Sequence, residues 1–173
     1  MKAGMHILMI NPNTSQQTTA LMLRQARACL PPGTLLHGAT AERGAAMITD
    51  EAGLRLAEQE VLRLGLAFAR GDDSPAGRAI IVAAFGNPGL ELLRAALPER
   101  VAAFGIGEAA MLQAARDEQG RPRRFGIATT TPGLEASIVA SVAALGLTPW
   151  FCGTRIAQGE PLALAGLSFA VAS

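Results

Sequence analysis

Four short segments gather the residues with chemistry to offer. Asn11-Pro12-Asn13-Thr14-Ser15 sets two side-chain amides and two hydroxyls within five consecutive residues. Phe85-Gly86-Asn87-Pro88-Gly89, Gly105-Ile106-Gly107-Glu108 and Thr129-Thr130-Thr131-Pro132-Gly133 vary the theme with glycine, amide, carboxylate and hydroxyl groups. Asn, Ser and Thr donate and accept hydrogen bonds without charge, and glycine lets a ligand approach the backbone closely. Where a helix follows such a segment, its first N–H groups lack intrahelical partners and favour an anion. The chemistry on offer is therefore capture of a small carboxylate or carbonyl group. The same residue types also serve plain structure. Segment 11–15 suits a turn with a helix cap, and 85–89 suits a strand–turn–helix hinge. Glu108 suits a first-turn carboxylate facing the helix dipole, and the threonine run suits a β-branched strand end.

Other chemistries find little support. Segment 11–15 lacks the Gly-x-x-x-x-Gly-Lys form of a phosphate loop. Gly105-Ile106-Gly107 lacks the third glycine of a dinucleotide fingerprint, with Ala110 in its place, and no acidic ribose ligand follows. His6 and His37 stand apart, and no Cys/His pair has ligand spacing, so no metal is expected. No cofactor is expected either. The two cysteines, Cys29 and Cys152, are distant in sequence and read as reduced thiols of a cytosolic protein. Cys152 follows Trp150-Phe151 and is expected to be a buried structural thiol. Cys29 falls at the end of a surface helix.

The elements that must position these segments alternate. Residues 6–10 form a short apolar run ending at Asn-Pro, which reads as a buried strand. Thr14 or Ser15 caps a helix running to about residue 29, which Pro31-Pro32-Gly33 closes. A weaker strand is expected at 34–37, then a loop over 38–49. Leu54, Ala57, Val61, Leu64 and Phe68 recur at helical spacing within 50–69, and 71–77 is a polar turn. Strands are expected at 79–84, 101–104, 125–128 and 148–152. Helices are expected from about residue 90 to 96, at 108–116 and at 135–145. Such βαβ alternation gives an α/β fold with mostly parallel sheets covered by helices. Ligands bind such sheets at the carboxyl ends of the strands, where all four chemical segments fall.

Composition sets outer limits. The 173 residues suit one domain or two small lobes. Half are hydrophobic and 17% are charged, with a net charge of +1, which gives nothing to steer the chain to nucleic acid or an acidic membrane. Arg121, Arg123 and Arg124 form the one basic cluster and read as a solvated loop. No secretory signal is expected, and no apolar run reaches the roughly 18 residues a bilayer requires. A cytoplasmic protein is expected.

The order and approximate spacing of the segments resemble the aspartate/glutamate/hydantoin racemase superfamily, and most closely its hydantoin and allantoin racemase branch. Ile10-Asn11-Pro12-Asn13-Thr14-Ser15 resembles the opening signature, and Ala84-Phe85-Gly86-Asn87-Pro88-Gly89-Leu90 the second. Gly105-Ile106-Gly107-Glu108-Ala109-Ala110-Met111 resembles the third, and residues 125–130 a fourth, a strand ending in paired threonines. The resemblance implies two similar lobes, each with a mostly parallel sheet flanked by helices, and a ligand cleft between them. It places the first lobe at 1–100 and the second at 101–173. It implies cofactor-independent removal and return of the proton beside a carbonyl, on hydantoins or acidic amino acids. Two thiols on opposite faces of the carbon would act as base and acid. On that plan Asn11, Ser15, Phe85, Gly86, Thr129 and Thr130 line the substrate pocket.

Two features depart from that pattern. The first thiol should immediately precede Phe85-Gly86, where this chain has Ala84, which can neither take nor give a proton. The second should lie beyond Cys152, in a segment for which this sequence has no cysteine. After residue 161 the family would continue with a further strand and helix. Here the uncharged segment 162–173 follows, so the second lobe is expected to be incomplete. Three readings stay open: a racemase-family protein with a disabled site, a non-catalytic module that binds small carboxylates or ureides, and a one-thiol relative resembling a decarboxylase. A homo-oligomer is expected, because an incomplete lobe and an apolar tail leave a patch to be covered.

Overall fold

The computed structural model describes residues 4–71 and 77–157. Most of the polar turn expected at 71–77 and the whole segment 158–173 lie outside the described residues.

The first sheet forms around an apolar run. Strand β1 (His6–Asn11) is buried along nearly its whole length. Such a strand needs neighbours on both edges and cover on both faces. It takes β2 (Leu35–Thr40) on one side and β3 (Arg78–Val82) on the other, and β4 (Val101–Gly105) pairs with β3. All three pairings are parallel, with His6 opposite both Leu35 and Arg78, and Arg78 opposite Val101. Helix α1 (Gln16–Cys29) connects β1 to β2, α2 (Glu51–Ala69) connects β2 to β3, and α3 (Leu90–Ala96) connects β3 to β4. Val61 and Leu93 from α2 and α3 pack with Leu8, Ile10, Ile80 and Val82 of the sheet into the main core. Gly65 makes this packing possible, because a Cβ there would lie 2.7 Å from the Leu93 Cδ1.

A second parallel pair follows. Strands β5 (Phe125–Thr129) and β6 (Phe151–Ile156) are joined through α5 (Glu135–Ala144). Their core holds Phe125, Val142 and Leu147 together with Met111 and Ala115. Met111 belongs to α4 (Ile106–Ala114), which continues directly from β4. The chain thus passes from the first sheet to the second core within one strand–helix unit. Strand β4 belongs to the first sheet, hydrogen-bonded to β3.

The fold is α/β, with parallel sheets flanked by helices, as the sequence leads one to expect. Several boundaries differ. The second strand continues to Thr40 instead of stopping at 37, because the pairing with β1 holds Gly38, Ala39 and Thr40 in the ladder despite their weak strand character. Helix α4 starts at Ile106 instead of Glu108, so the expected loop at 105–108 is absent. The last strand begins at Phe151 instead of 148, after a 3-10 turn at Thr148–Trp150. No described helix is long and apolar enough to cross a membrane.

Candidate functional site

The turn after β1 is built from its own side chains. Asn11 is fully buried. Its Nδ2 donates to Asn13 Oδ1 at 2.8 Å, to the Ser15 carbonyl at 3.0 Å and to Thr19 Oγ1 at 3.0 Å, while its Oδ1 accepts from the Asn13 N–H at 3.2 Å. Ser15 caps α1: its Oγ accepts from the Thr18 N–H at 3.2 Å. These groups close the turn on itself.

The turn leans on the segment after β2. The Thr14 N–H donates to the Ala45 carbonyl at 3.0 Å, and the Ala41 N–H to the Asn11 carbonyl at 2.9 Å. That segment is tied down by Glu60 of α2, which is 1% exposed. Its carboxylate accepts from the Glu42 N–H at 2.9 Å, from Arg43 Nε at 3.0 Å and from Arg63 at 2.8 Å. The Arg63 hydrogen bond, aided by the Glu42 N–H and Arg43, outweighs burial and holds Glu60 down at about 2, against an ordinary 4.5.

The loop after β3 forms one wall of a cleft. Ala83 completes the ladder by donating its N–H to the Ile10 carbonyl at 2.8 Å, and Ala84 follows, half-buried. Phe85 is 38% exposed, and Gly86 fits under Leu54, whose Cδ2 would lie 2.9 Å from a Cβ at this position. The opposite wall comes from the end of β5 and the start of α5. Thr129 and Thr131 share a hydrogen bond between hydroxyls at 2.8 Å, and the Thr131 N–H donates to Thr129 Oγ1 at 3.1 Å. Gly133 rests against the Thr49 carbonyl just before α2, at 2.8 Å from where its Cβ would be.

Between these walls lies a cavity of about 370 Å³, within the range of small-molecule sites. Phe85, Gly86, Thr129 and Thr130 line it together, joined by Thr131, Ser137 and apolar neighbours that include Ile127 and Ile138. Asn11, Ser15 and Ala84 are not among the lining residues. Ser137 is a lining residue that sequence reasoning missed; it shares a helical face with Leu134 and Ile138, at the spacing that would have pointed to it.

A larger cavity of about 450 Å³ lies on the other side of Gly86 and Asn87, beside Arg94 and Glu108. Its charges are already spent on each other. Arg94 donates to the two Glu108 oxygens at 2.9 and 3.1 Å, to Glu91 at 2.7 Å and to the Ala103 carbonyl at 3.0 Å. The Glu108 hydrogen bonds hold the guanidinium pKa above its ordinary value. The smaller cavity is lined by four hydroxyl side chains, those of Thr129, Thr130, Thr131 and Ser137.

Among the described residues, no Cys, His, Asp, Glu, Lys or Arg lines that smaller cavity. Cys152 is exposed, not buried as the sequence suggested: it lies on the two-stranded β5–β6 sheet and lines a separate cavity of about 290 Å³. Cys29 is exposed at the end of α1. Among the described residues no three His, Cys, Asp or Glu side chains are grouped to hold a metal ion.

The family model for Asp/Glu/hydantoin racemases matches residues 7–164. The chain belongs to this family. Two allantoin racemases are similar in structure. The one from Klebsiella pneumoniae is 28% identical with a TM-score of 0.78, covering 94% of this chain and 62% of its own. The one from Pseudomonas fluorescens is also 28% identical with a TM-score of 0.78, covering 92% and 63%. The chain thus spans less than two thirds of either racemase. No curated protein matches it significantly. In this chain Phe85 and Gly86 on one side and Thr129, Thr130 and Thr131 on the other line the same cavity.

Proposed function

We propose that the cleft binds a small carboxylate or ureide, of the kind represented by hydantoins, allantoin and acidic amino acids, and that this chain lacks the step that moves the proton. The observation that carries the reading is the lining of the 370 Å³ cavity: four hydroxyl side chains beside Gly86, with no side chain among the described residues that titrates near neutral pH. Hydroxyl and amide donors suit a carboxylate or ring carbonyl. They do not supply a general base or acid. Ala84, where the family resemblance places the first thiol, reinforces this.

Binding is tested by titration calorimetry with allantoin, hydantoin and L-aspartate. At least one should bind, and Thr130→Val should weaken it by about tenfold, the value of one hydrogen bond. No heat at millimolar concentrations of all three would remove the reading.

A further inference from the structure

The loop that supplies Phe85 and Gly86 to the cleft does not stand alone. It is seated on the junction of β4 and α4 by contacts at three residues. Asn87 Oδ1 accepts from the Gly107 N–H at 3.0 Å. Asn87 itself has φ 45°, the one described non-glycine residue with positive φ, a conformation held only where surroundings demand it. Gly105 and Gly107 have no room for side chains: a Cβ on Gly105 would overlap the Asn87 side-chain oxygen, and a Cβ on Gly107 would overlap the Phe85 carbonyl oxygen.

That last contact fixes an orientation. The Phe85 carbonyl oxygen lies nearer than its carbon to the place where a Gly107 Cβ would stand, so the C=O is directed toward α4. In a trans peptide the C=O and the next N–H point in opposite directions, so the Gly86 N–H is directed away from α4. Gly86 is a cleft-lining residue. Rotation of the 85–86 peptide would reverse the direction of the Gly86 N–H. The Asn87 hydrogen bond also stands where a helix cap would, since α4 has no side-chain cap at Gly105, and this explains why strand passes into helix without a loop.

We propose that Asn87 and Gly107 are positioning residues: together they hold the 85–86 peptide so that the Gly86 N–H serves the cleft as a donor. The importance for binding rests on the function proposed above; the peptide orientation itself does not. The sequence pattern Gly105-Ile106-Gly107 is thus the seat of the ligand loop, not an anion loop in its own right.

The test uses the full chain labelled with ¹⁵N, with Asn87→Gly, Asn87→Asp and Gly107→Ala variants. Asn87→Gly keeps the positive φ accessible but loses the acceptor, whereas Asn87→Asp keeps an acceptor. Without ligand, Gly107 amide exchange should quicken about tenfold in Asn87→Gly and stay near wild type in Asn87→Asp. Core amides such as Ile80 should keep their protection in both, which separates a local effect from general loosening. The Gly86 amide resonance should shift in Asn87→Gly and in Gly107→Ala. Unchanged Gly107 exchange in Asn87→Gly, or an unmoved Gly86 resonance in both variants, overturns the proposal. With allantoin, hydantoin and L-aspartate as probes, whichever binds wild type should bind Asn87→Gly about tenfold more weakly and recover in Asn87→Asp; equal affinity in Asn87→Gly overturns the positioning role. If none of the three binds wild type, the proposed binding function falls, while the exchange and resonance results still decide the seat.

Discussion

Replacing Glu60 by Gln tests how the segment behind the first turn is held. Glu60 is 1% exposed and accepts from Arg43, Arg63 and the Glu42 N–H. Gln keeps one acceptor oxygen and the shape of the side chain, but loses the charge and offers an NH₂ to groups that are themselves donors. Hydrogen bonds to charged groups contribute about 1.5–3 kcal/mol each, and breaking a buried pair costs about 3–5 kcal/mol. Arg43 is largely exposed and Arg63 partly so, and solvent screens both. A loss near the low end, about 3 kcal/mol, is therefore expected, which lowers Tm by about 6–12 °C. The effect depends on pH with a definite sign. Glu60 titrates at about 2 in the folded chain against an ordinary 4.5. Its stabilisation is complete above pH 4.5 and fades as pH falls toward 2. Denaturant melts of wild type and Glu60→Gln should differ fully at pH 7 and by only about half as much at pH 3. A difference under about 0.5 kcal/mol at pH 7, the level of an ordinary surface change, or one that does not shrink in acid, would refute the reasoning.

Asn11→Ala should cost about 2–3 kcal/mol in a thermal melt, because it leaves the part-buried Asn13 N–H without its acceptor and removes the Asn11 Nδ2 hydrogen bonds to Asn13 and Thr19. Ala84→Cys should install a single base beside the cleft, and proton NMR in D₂O should show α-hydrogen exchange of allantoin, hydantoin or L-aspartate rising about 10²–10⁴-fold over wild type. That exchange should proceed without inversion, since one thiol reaches one face. Light scattering should show self-association, as Phe104 is 51% exposed on β4 and Leu92 is 51% exposed on α3.

The strands and helices that carry buried periodic side chains were legible in the sequence. Residues 6–10 and 79–84 read as strands because their apolar runs match a sheet covered on both faces, although the latter strand runs only from Arg78 to Val82, and α2 showed its stripe from Leu54 to Phe68. Thr40 was missed because nothing local marks Gly38-Ala39-Thr40 as a strand; the ladder with β1 does. The helix start at Ile106 was missed because its stabilising acceptor comes from Asn87, 20 residues earlier. Cys152 misled because its aromatic neighbours suggested a core, whereas Gly153, at φ 108°, and the two-stranded sheet leave it in solvent. At the site, the resemblance placed Phe85, Gly86, Thr129 and Thr130 together, and they do share a cavity. Asn11 and Ser15 carry the same polar groups, but their hydrogen bonds close the turn, a difference that depends on three-dimensional distances.

The central claim, a ligand cleft without proton transfer, is tested most directly by one NMR sample of wild-type protein in D₂O with allantoin, hydantoin and L-aspartate. Saturation transfer reports binding, and the α-hydrogen signals report exchange. The account predicts saturation transfer to at least one of the three, with its α-hydrogen signal fading no faster than in buffer. Loss of that signal at an enzymatic rate would contradict it.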